Sequence, residues 1–315
     1  MLNKLNKLYK YYLQTNNIKK HNNNNLHNIY LVCLVCLLLC LLLCLLINVS
    51  PLYVKLYEKL LPNNENFIDK SLLINKKYLI TFVSGYWNVN NKYNNKYDEW
   101  FKNTLVINAP YIFFCTNETK QWIETQNFRQ SYPTHFIEKN ITDFKTSQLN
   151  MSNDIHAVHV PSKELGFVWL EKINLVLESS VLNPYKTEWF AWIDAGICVF
   201  RDKAPPTTEC PNINKMDLLA KDKFNYCTSD GEKPDSSIKQ WNNTHNISGG
   251  IFVLHISFIP IFHDLFYKYL NKCISETNTF TCYSDQIILA HIFYDSPELF
   301  NKISNGYGTL IHELY

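Results

Sequence analysis

Glycine is scarce in this chain, at 8 of 315 residues. No GxGxxG follows an apolar run and no GxxxxGK[ST] occurs, so the usual fingerprints of a dinucleotide fold and of a P-loop are missing. Acidic residues are absent from the first 30 positions, which hold five lysines. The remainder has 25 basic against 28 acidic residues, a net charge of −3. A body of that sign lacks the electrostatic footprint of a nucleic-acid binder, and no nucleic-acid partner is expected. Outside residues 29–47 there is no C-x-x-C pair, which argues against a zinc ribbon. Apolar residues, by contrast, make up 46% of the chain and aromatic ones 15%, enough for a substantial core and too many for a disordered chain.

Topology follows from one segment. Residues 29–47 form a run of 19 residues without charge, mostly Leu, Val and Cys. At about 1.5 Å per residue such a helix spans about 28 Å, close to the hydrocarbon thickness of a bilayer. Lys4, Lys7, Lys10, Lys19 and Lys20 precede it, and the first acid is Glu58. The positive-inside rule then makes this a type II signal anchor. Residues 1–28 are expected as a cytosolic Asn/Lys-rich tail, 48–77 as a stem, and 78–315 as the catalytic domain facing the Golgi or ER lumen, or an equivalent membrane of a viral host. A cleaved signal peptide would have a shorter apolar core and a small-residue cleavage site, whereas Asn48, Val49, Ser50 and Pro51 follow here.

Beyond the span lie Cys115, Cys198, Cys210, Cys227, Cys273 and Cys282, an even number that permits three disulfides in an oxidising compartment. Cys273 and Cys282 bracket a short polar loop and form the expected pair. Glycosylation sequons at Asn117, Asn140, Asn150, Asn242 and Asn246 agree with a lumenal body, although an Asn-rich chain acquires some by chance.

From Tyr78 onward, strand and helix patterns alternate. Strands are expected at 78–84, 111–115, 134–138, 188–193, 224–228 and 250–255, the first two of them buried. Helices are expected at 93–107, 119–127, 162–180 with Ser162 as N-cap, 258–270 and 284–293. The alternation implies an α/β fold with a mostly parallel central sheet, whose ligands bind outside the carboxyl ends of the strands.

Several residues then become candidates for chemistry. The strand WFAWI ends at Asp194, where an ionised carboxylate needs a partner. A divalent metal bridging to phosphate is one; a turn cap or Arg201 is another. Lys172 falls on the apolar stripe of helix 162–180, so it either meets an anion or snorkels outward. Gly249 and Gly250 allow close backbone approach of a ligand, or simply a tight turn. Asp285 opens an apolar helix, as a catalytic carboxylate or as a first-turn acid favoured by the helix dipole. His312, in TLIHEL, is either a further metal ligand or a surface histidine.

The series TFVSGYWNV, YDEWFKNTL, IFFCTNE, LGFVWLEKINLVLESSVLNPYKTEWFAWIDAGI, SGGIFV and SDQIIL resembles the HtrL/YibB family of glycosyltransferase-like proteins, over residues 78–315. Its specific part is the block Trp169–Lys172, Asn183–Tyr185 and Trp192–Gly196. The resemblance implies a GT-A-like nucleotide-sugar-binding domain, a nucleotide-sugar donor, a glycan or glycoprotein acceptor, and Mn²⁺ or Mg²⁺. Asp194 stands in the place of the usual D-x-D, but its third residue is Gly196, so one protein carboxylate replaces two. On this reading Asp194 and His312 hold the metal. Thr81, Ser84, Lys172, Asp194, Gly249 and Gly250 bind the donor, and Asp285 deprotonates the acceptor. The competing expectations are a non-catalytic type II membrane or virion glycoprotein on the same fold, and a metal hydrolase built on Asp154, His156 and His159. Val158, Val160 and Pro161 disfavour the helix that the last would need.

Overall fold

Runs such as Tyr111–Cys115 and Trp189–Ile193 are apolar at every position, as befits strands covered on both faces. The computed structural model describes residues 78–91, 93, 96–149, 161–229, 241, 247–277 and 283–315. The chain divides into two compact units, Met1–Ile74 and Asn75–Tyr315, and all described residues belong to the second. The expected tail, anchor and stem, and the Asp154–His159 segment, lie outside the described residues. Among the described residues no helix is long and apolar enough to cross a membrane.

In chain order the elements are β1 (Ile80–Tyr86), α1 (Lys96–Leu105), β2 (Tyr111–Cys115), α2 (Asn117–Thr125), β3 (Thr134–Glu138), α3 (Lys163–Leu182) and β4 (Trp189–Ile193). There follow β5 (Phe224–Thr228), β6 (Ile247–His255), α4 (Ile259–Glu276), α5 (Asp285–Asp295), β7 (Phe300–Ser304) and α6 (Leu310–Leu314). The strands form one seven-stranded sheet in the order β3-β2-β1-β4-β6-β5-β7. Strands β3, β2, β1 and β4 run parallel, as does the β5–β7 pair. Strand β6 departs from the parallel expectation, running antiparallel to both β4 and β5.

Alternate residues of each strand serve opposite faces, as the period of two requires. Val83, Ile112, Phe114, Phe190, Trp192 and Phe252 pack under one helical layer with Leu170, Phe262, Phe266 and Ile288. Phe82, Tyr111, Phe113, Ala191 and Ile251 pack on the other face with Phe101, Leu105, Leu310 and Leu314. The result is a mixed α/β sandwich with a covered sheet.

The helix ends obey local chemistry. Ser162 accepts a bond from Leu165 N–H at 3.3 Å, the expected cap of α3. The helix stops at Asn183, which takes a left-handed φ of 37° and whose side chain bonds Thr187 in both directions. Arg129 was not anticipated. It is 5% exposed and donates to the carbonyl of Leu105, the last residue of α1, and to those of Ile107 and Ala109 beyond it. Burial pushes its guanidinium down to about 10.

The cysteines correct an expectation. Cys115, Cys198, Cys210 and Cys227 are free thiols, so three disulfides do not form. Cys115 and Cys227 are buried within strands, where they act as small apolar side chains. Cys273 is disulfide-bonded; its expected partner, Cys282, lies outside the described residues.

Candidate functional site

The chain leaves β1 for β2 and β3 on one side of the sheet, while β4, on the other side of β1, leads toward β6 and β5. The order of strands therefore reverses between β1 and β4, and their carboxyl ends form the crevice where open α/β sheets bind ligands. Asp194 directly follows β4 at that crevice. Because β6 runs the opposite way, its first residues arrive at the same edge, and Asp194 N–H donates to Gly250 O at 2.8 Å.

Lys172 reaches this point from the middle of α3. It is 2% exposed, and its Nζ lies 3.0 Å from Asp194 Oδ1, 3.1 Å from Asp285 Oδ2 and 2.9 Å from Gly249 O. Taking an ion out of water costs several kcal/mol, which two carboxylates and a carbonyl here offset. Burial by itself would lower the Lys172 pKa, but Asp194 and Asp285 together hold it above its ordinary value. Lys172 therefore does not snorkel. Its three N–H groups face three protein oxygens, which leaves it no free donor for a diphosphate.

The two acids differ. Asp194 retains 19% side-chain exposure, and its Oδ1 also accepts Trp192 Nε1–H at 2.8 Å. It makes no ion pair with Arg201. Asp285 is 3% exposed, and its Oδ1 accepts Gln286 N–H at 2.9 Å in the first turn of α5. Its Oδ2 faces the Lys172 ammonium at 3.1 Å. Burial, partly opposed by Lys172, pushes the Asp285 carboxyl above the ordinary range, with the charge of Asp194 adding to the rise. Gln286 Nε2 donates to Ile247 O at 2.7 Å and so fixes α5 to the start of β6.

Gly249 passes so close that a Cβ there would collide with the Asp285 carboxylate. Gly250 faces Asp194 and the ring of Tyr307. Tyr307 was missed by sequence reasoning. It stands between Gly306 and Gly308, both at positive φ (107° and 78°), the backbone conformation that glycine adopts freely. The residue as a whole is 37% exposed, but its phenol lies toward Asp194 and Asp285, and desolvation followed by those two charges raises its pKa well above 10. Tyr97, also missed as a site residue, covers Gly196 with its ring. A signal was available: in a chain of 8 glycines, five (Gly196, Gly249, Gly250, Gly306 and Gly308) surround this cluster.

Three expected site residues lie elsewhere. Thr81 is fully buried inside β1 and bonds the Thr187 hydroxyl at 2.7 Å, several residues before the carboxyl end of the strand. Ser84 is nearer, but its hydroxyl donates to Ile193 O at 2.7 Å and links β1 to β4 instead of facing a ligand. His312 is exposed on α6, edge-on to Phe200 at 5.6 Å.

The expected Mn²⁺ or Mg²⁺ does not fit the residues present. Among the described residues, no group of three or more His, Cys, Asp or Glu side chains could hold a metal ion. Both carboxylates of the crevice already share the Lys172 ammonium.

No family model matches the chain, so the resemblance to the HtrL/YibB family gains no support from that comparison. No curated protein matches it either. Among solved structures, it is similar to the apo crystal structure of mouse xyloside xylosyltransferase 1, with 10% identity and a TM-score of 0.41, covering 71% of this chain and 83% of that one.

Proposed function

We propose that this chain is a glycosyltransferase with a GT-A-like fold, anchored through residues 29–47, that moves a sugar from a nucleotide-sugar donor to a glycan or glycoprotein acceptor. One observation carries the reading. Lys172, Asp194, Gly249 and Asp285, singled out far apart in the sequence, meet within about 3 Å contacts at the switch point of the sheet.

In this reading Asp194, the accessible acid, takes the proton of the acceptor hydroxyl as that oxygen forms its bond to the anomeric carbon. The bond from the anomeric carbon to the donor phosphate breaks, and its electron pair leaves with the nucleoside diphosphate. Lys172 and the buried Asp285 fix the orientation of Asp194 and keep it from rotating away. This shifts the base from Asp285, the sequence-based candidate, to Asp194, because only Asp194 is within reach of a substrate.

Asp194→Asn keeps volume and most hydrogen bonding but cannot accept the proton. Donor consumption, followed over a panel of nucleotide sugars with mixed glycan acceptors, should fall at least 10²-fold, on the order of 2.7 kcal/mol of transition-state stabilisation. Full activity in this variant would refute the assignment. A second reading, a non-catalytic membrane glycoprotein, draws on the internal satisfaction of Lys172. It requires that no donor in the panel is consumed by the unaltered chain.

A further inference from the structure

The proposed reaction poses a charge problem. Lys172 carries +1 against the two carboxylates of Asp194 and Asp285, so with both ionised the cluster is net negative. A donor diphosphate approaching it is repelled unless another cation meets it. Lys172 is engaged on three sides, and the described residues provide no metal donor set.

Arg201 is the cation placed for that role. Its guanidinium carbon lies 4.0 Å from the centre of the Trp100 ring and 4.6 Å from that of Tyr93, so two aromatic rings hold its plane. Its Nε–H donates to Gly196 O at 3.3 Å, two residues from Asp194. The ring of Tyr97, which covers Gly196, borders both groups. Among the described residues Arg201 pairs with no carboxylate; Asp194 is turned to Lys172 and Trp192 instead. The rings and Gly196 account for the plane and for Nε, which leaves the outer edge of the fork. That edge has the paired N–H geometry that matches two phosphate oxygens.

We propose that Arg201, clamped by Trp100 and Tyr93 beside the Asp194 turn, is the anion-binding group of this site and takes the diphosphate charge of the donor without a divalent ion. The inference rests on the glycosyl-transfer reading for its ligand class, and it deepens that reading by naming what neutralises the leaving group.

Inorganic pyrophosphate and uridine diphosphate serve as probes, titrated calorimetrically into the full chain in detergent with excess EDTA. Binding should persist in EDTA and weaken as NaCl is raised from about 50 to 500 mM, as a charge contact does. Arg201→Gln should weaken it at least about tenfold, with its melting temperature recorded to confirm folding. Arg201→Lys retains the charge and the folded state but loses the fork, so it should bind with intermediate affinity. Equal affinity in all three proteins, an absolute need for added Mn²⁺ or Mg²⁺, or no binding of either probe would overturn the proposal. Donor consumption measured in parallel separates the two claims. Arg201-dependent binding without turnover of any sugar nucleotide would keep the anion site and remove the transferase reading. Turnover that requires Asp194 and is indifferent to Arg201 would do the reverse.

Discussion

At the scale of single residues, Lys172 controls the rest of the cluster. Replacing it by methionine, one atom shorter but of similar volume, keeps most of the packing but leaves two carboxylates facing each other without their cation. The expected loss is about 3–5 kcal/mol, the cost of breaking one side of a buried ion pair, and urea melts measure it. Adding Asp285→Asn to that variant removes one of the orphaned charges and should recover part of the loss. A stability equal to the parent in the single variant would mean that the cluster contributes no net interaction. Asp285 also makes stability depend on pH. Its folded-state pKa is raised, chiefly by burial, so the folded state binds this proton more tightly than the unfolded chain does. Its contribution is complete below the unfolded value of about 3.9 and is lost as pH rises through the folded-state value. The melting-temperature difference between the unaltered chain and Asp285→Asn should therefore move in favour of the unaltered chain as pH falls from 7 toward 4.5. A constant difference would show that Asp285 titrates as an ordinary exposed acid.

At the scale of elements, the sequence was most readable where a run is long or capped. The strands 111–115, 134–138 and 224–228 appear with the bounds read from their apolar runs, and α3 begins after the Ser162 cap as expected. Strand β7, FNKIS, escaped because it is mostly polar and only its first residue is buried, and helix α6 because five residues make little more than one turn. The start of β6 was placed three residues late, since Ser248, Gly249 and Gly250 read as a turn. They are extended because they lie in a fully buried strand beside β4 and β5, a tertiary preference that outweighs the local one. The same limit applies to the site. Asp194 and Lys172 stood out by being charged in apolar surroundings, whereas Tyr307 and Tyr97 did not, because aromatic residues are common in this chain. The contact between β6 and α5 yields a comparison of neighbours. Gly249→Ala drives a methyl into the Asp285 carboxylate, which Lys172 and Gln286 hold in place, and should cost about 1–3 kcal/mol. Gly250→Ala crowds only the edge of the Tyr307 ring, at 3.1 Å, which can turn on its glycine-flanked loop, and meets Asp194 and Ser248 at an ordinary 3.6 Å. Thermal melts should rank Gly249→Ala below Gly250→Ala, and the reverse order would mean that Asp285 is not held as described.

At the scale of the whole molecule, the sheet and both helical layers lie within the unit Asn75–Tyr315. A fragment beginning at Asn75 should therefore unfold in one cooperative transition when followed by circular dichroism and tryptophan fluorescence together. Two separate transitions would place part of its core outside that boundary. The direction of β6 has a kinetic consequence. Its ladder pairs Trp189–Ile193 with Ile251–His255, across some sixty intervening residues, and closing so long a loop is entropically slow. The β1–β2 and β2–β3 pairs join segments much closer along the chain and are free to form earlier. Gly249, Gly250 and the α5 turn reach Asp194 only once β6 has docked. The crevice is thus completed late in folding: a chain caught before β6 docks holds at most the β3-β2-β1-β4 part of its sheet, with β5 and β7 detached and Gly249 and Gly250 still away from Asp194.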